Sequence, residues 1–586
     1  MLYDKNPPYP HYDNLPYGKE PWKALYVFQR LFTTLLLVPV WVVYYSIVPR
    51  RYRPRASWNL RQIVNINFTR RIFKVTEVAG VTWGTRDPTK APEERTLRET
   101  RFEWVEPLKE EWRTGILNTQ TIPFNRVGCF VWPKVVHPEV HKVRTRWGSN
   151  PHEGQLEQTI DLEDHSGEVP IIGIFMHGGG YCHMSANESS RTSRIPRGLV
   201  ERKIMQEVYS VEYRLLQHAP FPAVVIDAAA VYAHVIEQYG IRRSKCKIVL
   251  IGDSSGGNLV LSLARWLRDE AHLPAPDGLL LLSPSSDPSQ NLPETLSSYI
   301  PRPNERSDYL VDNPEPRALL QRTFLGFASQ QGTTAQDEEK RLVEVIHSEY
   351  VSPCSPIVLK RWGHEAKQDP EGQHEQHFVR NVFKRLPTAL RITRAPSALE
   401  RSVILPQSEG EGAKVDAGPT VVLPHNAEKQ LNPAVQTNEA LLSPPPIHPM
   451  SVTSSTSSAD DTLVSTSPIA PVKSIQSNGK PVSDATASHN YRATCGFPTL
   501  FAEFPRSLVV CGDAERLVRE VRSLISAMEK DGVDLNVVWA SDACHDVLIL
   551  DPFWWDKKVI EDVWNGVDKW AAGFKDSDIP VPDTST

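Results

Sequence analysis

Lys247-Ile248-Val249-Leu250-Ile251-Gly252-Asp253-Ser254-Ser255-Gly256-Gly257-Asn258-Leu259 is the stretch that decides the fold of this 586-residue chain. A short apolar run meets a serine flanked by glycines, and an amphipathic pattern then continues to about Glu270. That is the signature of a buried strand, a sharp turn and a helix. A serine on such a turn adopts strained backbone angles, so small residues are needed two positions before and after it; Gly252 and Gly256 supply them. The strain lifts the Ser254 hydroxyl above the sheet edge, where the positive end of the following helix faces any anion that forms. Ser254 is therefore a candidate nucleophile. A glycine-rich strand-to-helix turn can equally bind phosphate or simply pack closely, so the surrounding chain has to decide.

Outward from this stretch, strands alternate with helices. Gly128 to Val136 alternates as an opening strand, and Val169 to Met176 is a continuous apolar run ending in His177-Gly178-Gly179-Gly180-Tyr181. Val208 to Leu215 reads as a strand, Ala223 to Gln238 as a helix, and Leu279 to Leu282 as a further strand. The alternation predicts an α/β fold with a mostly parallel sheet covered by helices on both faces. Asp287 to Asn313 is crowded with Pro and Ser before a helical pattern at Glu315 to about Phe327, which suits a lid over residues 287–330. Residues 363–490 are rich in Gln, Ser, Pro and Glu and poor in aromatics, a composition expected to be disordered. Order is expected to return with a strand at Pro505 to Gly512, a helix from Glu515 to Lys530, a strand at Leu535 to Ala540 and a closing helix from Asp551 to Ala572. The low-complexity tract is thus an insertion within one domain, whose parts are residues 126–362 and 491–575, followed by a tail at 576–586.

The amino-terminal part has a different character. Residues 1–24 read as an irregular tail, 25–50 as a membrane anchor and 51–125 as a partly helical cap region, with a helix near Trp58 to Val75. Leu31 to Val48 carries no charge and is bounded by Arg30 and by Arg50, Arg51, Arg53 and Arg55. At 1.5 Å per residue such a run spans roughly 27 Å, close to the ~30 Å of a hydrocarbon core. A single span and a half-inserted anchor both fit, with Pro39 leaving the geometry open. The late start and missing small-residue cleavage site oppose a signal peptide, and the arginine cluster favours a cytosolic body. A net charge of −5 without a basic tract interleaved with aromatics excludes nucleic acid as a partner. Seven cysteines without C-x-x-C pairs imply neither a zinc site nor a disulfide framework.

Three segments in order, His177-Gly178-Gly179-Gly180-Tyr181, Tyr213-Arg214-Leu215 with Pro220-Phe221-Pro222-Ala223, and Gly252-Asp253-Ser254-Ser255-Gly256-Gly257-Asn258, resemble the hormone-sensitive lipase family of α/β-hydrolases. That group includes arylacetamide deacetylases and fungal steryl acetyl hydrolases. The resemblance covers roughly residues 126–300 and 505–572. It implies the α/β-hydrolase fold with a helical cap, and ester cleavage through an acyl-enzyme without metal or cofactor. It also implies that Ser254 is the nucleophile, with the acid following it in the chain and the histidine last. His545 alone lies on a short loop after the last expected strand, which fits the late base. For the acid, Glu515-x-Leu517 occupies the register where the family usually shows Asp-x-Leu; Asp513 is the alternative. Backbone N–H groups of Gly179, Gly180 and Ser255 would form the oxyanion hole. His177, Tyr213, Arg214 and Asp287 fit supporting roles. The implied substrate is a small lipophilic ester met at a membrane, with the endoplasmic reticulum as the expected site. Two other functions compete: a ligand-binding module like the plant gibberellin receptors, which resemble this family but lack the triad histidine kept here, and a tethered interaction protein in which the insertion matters most.

Overall fold

A computed structural model describes residues 17–135, 169–239, 246–291, 302–311, 324, 335–365 and 499–575. In chain order the principal elements are α1 (Trp22–Ile47), α2 (Leu60–Ala79), β1 (Arg101–Val105), β2 (Val127–Trp132), β3 (Ile171–Met176), α3 (Arg194–Glu201), β4 (Glu207–Glu212), α4 (Ala223–Tyr239), β5 (Lys247–Asp253), α5 (Ser255–Asp269), β6 (Gly278–Leu282), α6 (Ala335–Ile346), α7 (Pro356–Arg361), β7 (Arg506–Gly512), α8 (Val518–Lys530), β8 (Leu535–Ala540) and α9 (Lys557–Ala572). The strands form one sheet in the order β1-β2-β4-β3-β5-β6-β7-β8. The β1/β2 and β2/β4 pairs are antiparallel and every later pair is parallel.

Strand β5 lies at the middle of the parallel part because it is apolar on both faces. Ile248 and Leu250 pack into the layer that holds α4, α5 and α8, whereas Val249 and Ile251 pack into the layer that holds α2, α3 and α9. Edge strand β1 is not legible as a strand in Arg101-Phe102-Glu103-Trp104-Val105. Its charged positions are satisfied across the sheet, with Arg101 paired to both Glu103 and the fully buried Glu207.

Helix α1 differs from the expected isolated anchor. It begins at Trp22 and runs 26 residues, with one face docked along α2. Val27 packs on Val75 and Ala79, Arg30 Nε donates to the Arg71 carbonyl at 3.1 Å, and Arg71 donates to the hydroxyls of Thr33 (3.1 Å) and Thr34 (3.0 Å). The opposite face stays bare, with Phe28 65%, Leu35 61% and Ile47 78% exposed. The arginine cluster is also partly spent inside the fold. Arg53 donates to the carbonyls of Tyr45 and Trp58, and Arg55 to Asn304 and the Asp513 carbonyl.

Two further expectations change. The helix after β7 starts at Val518 rather than Glu515, leaving Glu515 in the turn, and the last helix starts at Lys557, capped by the Asp556 carboxylate. Residues 302–311, expected in a lid, instead brace the turn after β7. Asn304 donates to the carbonyls of Asp513 and Glu515, Ser307 to that of Ala514, and Asp308 accepts from Arg516 N–H. The helical pattern at 315–327, apart from Phe324, and residues 366–490 of the low-complexity tract fall outside the described residues. His364 Nε2 (3.1 Å), at the start of that tract, and the Phe501 N–H (2.8 Å), beyond its end, meet the same Asp531 carboxylate oxygen.

Candidate active site

The turn between β5 and α5 has the strain its sequence requires. Ser254 sits at φ 53° and ψ −119°, outside the allowed basins for a side-chain-bearing residue. A Cβ on Gly252 would stand 2.3 Å from the Gly256 carbonyl carbon, and one on Gly256 would stand 1.9 Å from the Met176 carbonyl oxygen. Only glycine lets β5, α5 and β3 converge here. The turn is further held by Ser254 N–H donating to the Leu282 carbonyl and Ser285 N–H donating to the Ser254 carbonyl.

The described fold brings Ser254, His545 and Glu515 together from three separate connections at the carboxyl ends of the strands. Ser254 Oγ lies 2.9 Å from His545 Nε2, a hydroxyl-to-imidazole hydrogen bond. On the other side of the ring, Nδ1 is 3.5 Å from Glu515 Oε2, an ion-pair contact looser than a hydrogen bond. Glu515 is fully buried, and its other oxygen accepts from the Cys511 thiol at 2.6 Å. Asp513, the alternative acid, turns elsewhere: its carboxylate accepts from the Asp542 N–H at 2.8 Å and so tethers the histidine loop.

Two residues that the sequence did not point to hold the same loop. Trp58, just before α2, donates its indole N–H to the Asp542 carbonyl at 2.8 Å, and Arg55 braces the Asp513 turn from behind. Nothing in the local sequence of residues 51–60 carries this role; it follows from α2 packing beside the site. A third is Asp546, whose Oδ2 lies 3.0 Å from His545 Nε2, on the serine side of the ring. Burial alone would lower the His545 pKa, but the flanking carboxylates of Asp546 and Glu515 outweigh it and push the imidazole well above its ordinary value.

The glycine loop runs directly against the serine. A Cβ on Gly178 would lie 3.0 Å from Ser254 Cβ, and the Gly178 N–H donates to the Asp253 carboxylate at 2.8 Å. Gly179 (φ 119°) and Gly180 (φ 62°) take left-handed angles. Among the described residues their N–H groups donate to no protein acceptor. Ser255 opens α5, where a backbone N–H has no intrahelical acceptor. His177 serves this loop from below: its ring stacks on Tyr213 at 4.4 Å, its Nδ1 lies 2.8 Å from the Gly178 carbonyl, and Tyr213 donates to the His177 carbonyl at 2.6 Å. Burial lowers the His177 pKa to about 4, so the ring is neutral and its Nδ1–H is directed at that carbonyl. Arg214 forms a buried bidentate pair with Asp227, and the Asp287 carbonyl accepts from Arg302. Both serve as struts. The six described cysteines are all buried and form no disulfide.

The Tyr309 ring, 5.9 Å from that of His545 between centroids, also lines a cavity of about 210 Å³ whose polar lining includes Asn65, Thr69, Arg191, Arg194 and Asp551. Phe73, Met184, Ile549, Leu550 and Trp554 contribute its apolar walls.

Residues 173–356 match the profile of a family described as having the alpha/beta hydrolase fold. Over 161 residues the chain is 27% identical to a versiconal hemiacetal acetate esterase of Aspergillus parasiticus, covering 27% of this chain and 47% of that protein. It is 33% identical over 122 residues to a gibberellin receptor of Arabidopsis thaliana, covering 20% and 33% of the two chains. It is 26% identical over 116 residues to steryl acetyl hydrolase 1 of Saccharomyces cerevisiae, covering 20% and 26%. The chain thus spans less than half the length of these curated relatives. With its mostly parallel sheet and its strained serine turn between β5 and α5, this chain carries a domain with the alpha/beta hydrolase fold.

Proposed function

We propose that this protein is a serine carboxylic-ester hydrolase acting on small lipophilic esters, with acetylated sterols a candidate class. The observation that carries this reading is the 2.9 Å contact between His545 Nε2 and a serine hydroxyl held on a strained strand-to-helix turn. In the reaction, neutral His545 takes the Ser254 proton as Oγ bonds to the ester carbonyl carbon. Glu515 keeps the imidazole in the right tautomer and stabilises the imidazolium. The N–H groups of Gly179, Gly180 and Ser255 bind the oxyanion, each donor contributing about 3 kcal/mol to the transition state. Collapse of the tetrahedral intermediate breaks the bond to the alcohol, which leaves with the proton from His545. Water then repeats the sequence on the acyl-enzyme and releases the acid.

The bare face of α1 supports membrane attachment in the plane of the interface; the endoplasmic reticulum is carried over from the family resemblance alone. A perpendicular span would draw Arg71 and the polar face of α2 into hydrocarbon, because they are bonded to the middle of α1.

The test is hydrolysis of a chain-length series of esters by the purified protein beside Ser254→Ala. Turnover of short esters by the wild-type chain and its loss in the variant support the reading. Binding without turnover would move the assignment to a ligand-binding module, the activity class named for the gibberellin receptor relative.

A further inference from the structure

His545 is flanked by carboxylates on both ring nitrogens, and only one of them belongs to the hydrolase machinery. Glu515 lies at Nδ1, and Asp546 lies at Nε2, 3.0 Å away, where Ser254 Oγ also stands at 2.9 Å. One nitrogen therefore has two partners with opposite demands. Ser254 is activated only when Nε2 carries a lone pair, whereas ionised Asp546 is satisfied only when Nε2 carries a proton. The backbone reinforces this placement. Asp546 sits at φ 50° and ψ 57°, a left-handed position that Gly or Asn fills more readily, and its N–H is fixed by Ser283 Oγ. Among the described residues its second oxygen, Oδ1, is buried without a hydrogen-bond partner, so the imidazole is the one side chain its carboxylate contacts there.

Resting on the hydrolase reading above, we propose that Asp546 is a positioning residue that competes with Ser254 for Nε2 of His545 and thereby sets the pH at which the serine becomes a nucleophile. With Asp546 ionised, the resting pair is carboxylate and imidazolium, and the serine waits. Raising the pH removes the Nε2 proton, breaks the hold and frees the lone pair for the serine proton.

The other titratable groups facing this pair do not supply the same competition. Asp253, at the end of β5, has one oxygen on the Gly178 N–H, and burial and then the nearby Asp546 charge push its carboxyl well above the usual range; it acts on the pair through space and does not touch Nε2. Asp308 accepts from the N–H groups of Tyr309, Leu310 and Arg516. Tyr309 and Cys544 are buried, with burial pushing both their pKa values up, so they stay neutral. Glu515 acts on the far nitrogen. Among these groups only Asp546 contacts Nε2.

The experiment is covalent labelling of full-length protein with a fluorophosphonate, which reads base activation of Ser254 without needing the natural ester. The serine oxygen bonds to phosphorus, fluoride leaves, and the serine proton passes to His545. The labelling rate is followed from about pH 5 to about pH 10, with Ser254→Ala as the specificity control. In Asp546→Asn the onset should move down by about one pH unit or more, so that the variant labels faster than wild type at neutral and acidic pH. Asn tolerates the left-handed backbone, and Asp546→Gly, which relieves it, should move the onset the same way. A variant that folds poorly would lower the labelled amount at every pH, while the fraction that still labels would show the shifted onset. Labelling with an onset unmoved in both variants overturns this inference alone. No labelling of the wild-type protein at any pH overturns the hydrolase reading and this inference together.

Discussion

The imidazole of His545 depends on side chains that are themselves held in place, and substitutions around it can separate their roles. Glu515→Gln should lower ester turnover by about 10⁴-fold, since an amide no longer enforces the tautomer with Nε2 free. Asp513→Asn should cost little, because an amide oxygen still accepts from the Asp542 N–H. Steady-state kinetics on both variants checks the ranking, and the reverse order would transfer the role to Asp513. One step behind, the Cys511 thiol is the donor that orients Glu515. Cys511→Ala should lower kcat more than it changes KM, and Cys511→Ser, which keeps a donor, should restore most of it. Equal losses in both would show that the thiol merely fills space. The family resemblance pointed to Glu515, with Asp513 as the alternative. Choosing between them needed the direction in which each side chain leaves the turn after β7, and this is set by the braces from Asn304, Ser307 and Arg55.

Elements meet at the nucleophile turn with almost no clearance, so the helix α5 and strand β3 form a single rigid platform. Gly256→Ala would press a methyl group into the Met176 carbonyl, a backbone atom that cannot move aside. Destabilisation of about 3 kcal/mol or more is expected, with loss of soluble protein or a sharply lowered Tm by thermal denaturation. A near-wild-type Tm would mean that α5 can slide along the sheet. This convergence was legible because glycine spacing reports it directly. The contribution of the segment before α2 was not. Trp58 looks like any aromatic in a mixed region, and its hydrogen bond to Asp542 spans 484 positions of sequence. Trp58→Phe should keep the fold while loosening the histidine loop, lowering kcat several-fold. Indole N–H loss alone removes about 1 kcal/mol of hydrogen bonding.

At the scale of the whole molecule, the two halves of the hydrolase body close on each other around the long insertion. Asp531 takes a hydrogen bond from His364 at the start of that tract and from Phe501 beyond its end. Its roots are therefore fixed by the body itself. Deleting residues 367–488 and closing the gap with a short loop should leave soluble, active enzyme, since loop-closure entropy changes slowly with length. Collapse of active yield would show that the tract packs on the body. Helix α1 provides the complementary prediction. Replacing Phe28, Leu35 and Val43 on its bare face with Gln should release the protein from membranes, because these side chains are exposed and contribute little to the core. Carbonate washing distinguishes the modes: an in-plane helix gives partial extraction, whereas full retention in the pellet would favour a true span.

Sequence by itself determined the parallel α/β sheet and the serine turn, because apolar periodicity and glycine spacing are local consequences of strand, helix and close approach, while the order of Ser254, Glu515 and His545 came from the family resemblance. It also marked the apolar run of α1. Tertiary structure alone decided that α1 lies along α2 with Arg71 bound at its middle. It likewise decided that residues 302–311 brace the Glu515 turn, and that Asp546 shares Nε2 with Ser254. Each of these depends on a side chain meeting a partner far away in the chain, and the residues involved, a surface-type arginine, a polar loop and an aspartate, have no local pattern that distinguishes them from solvated positions.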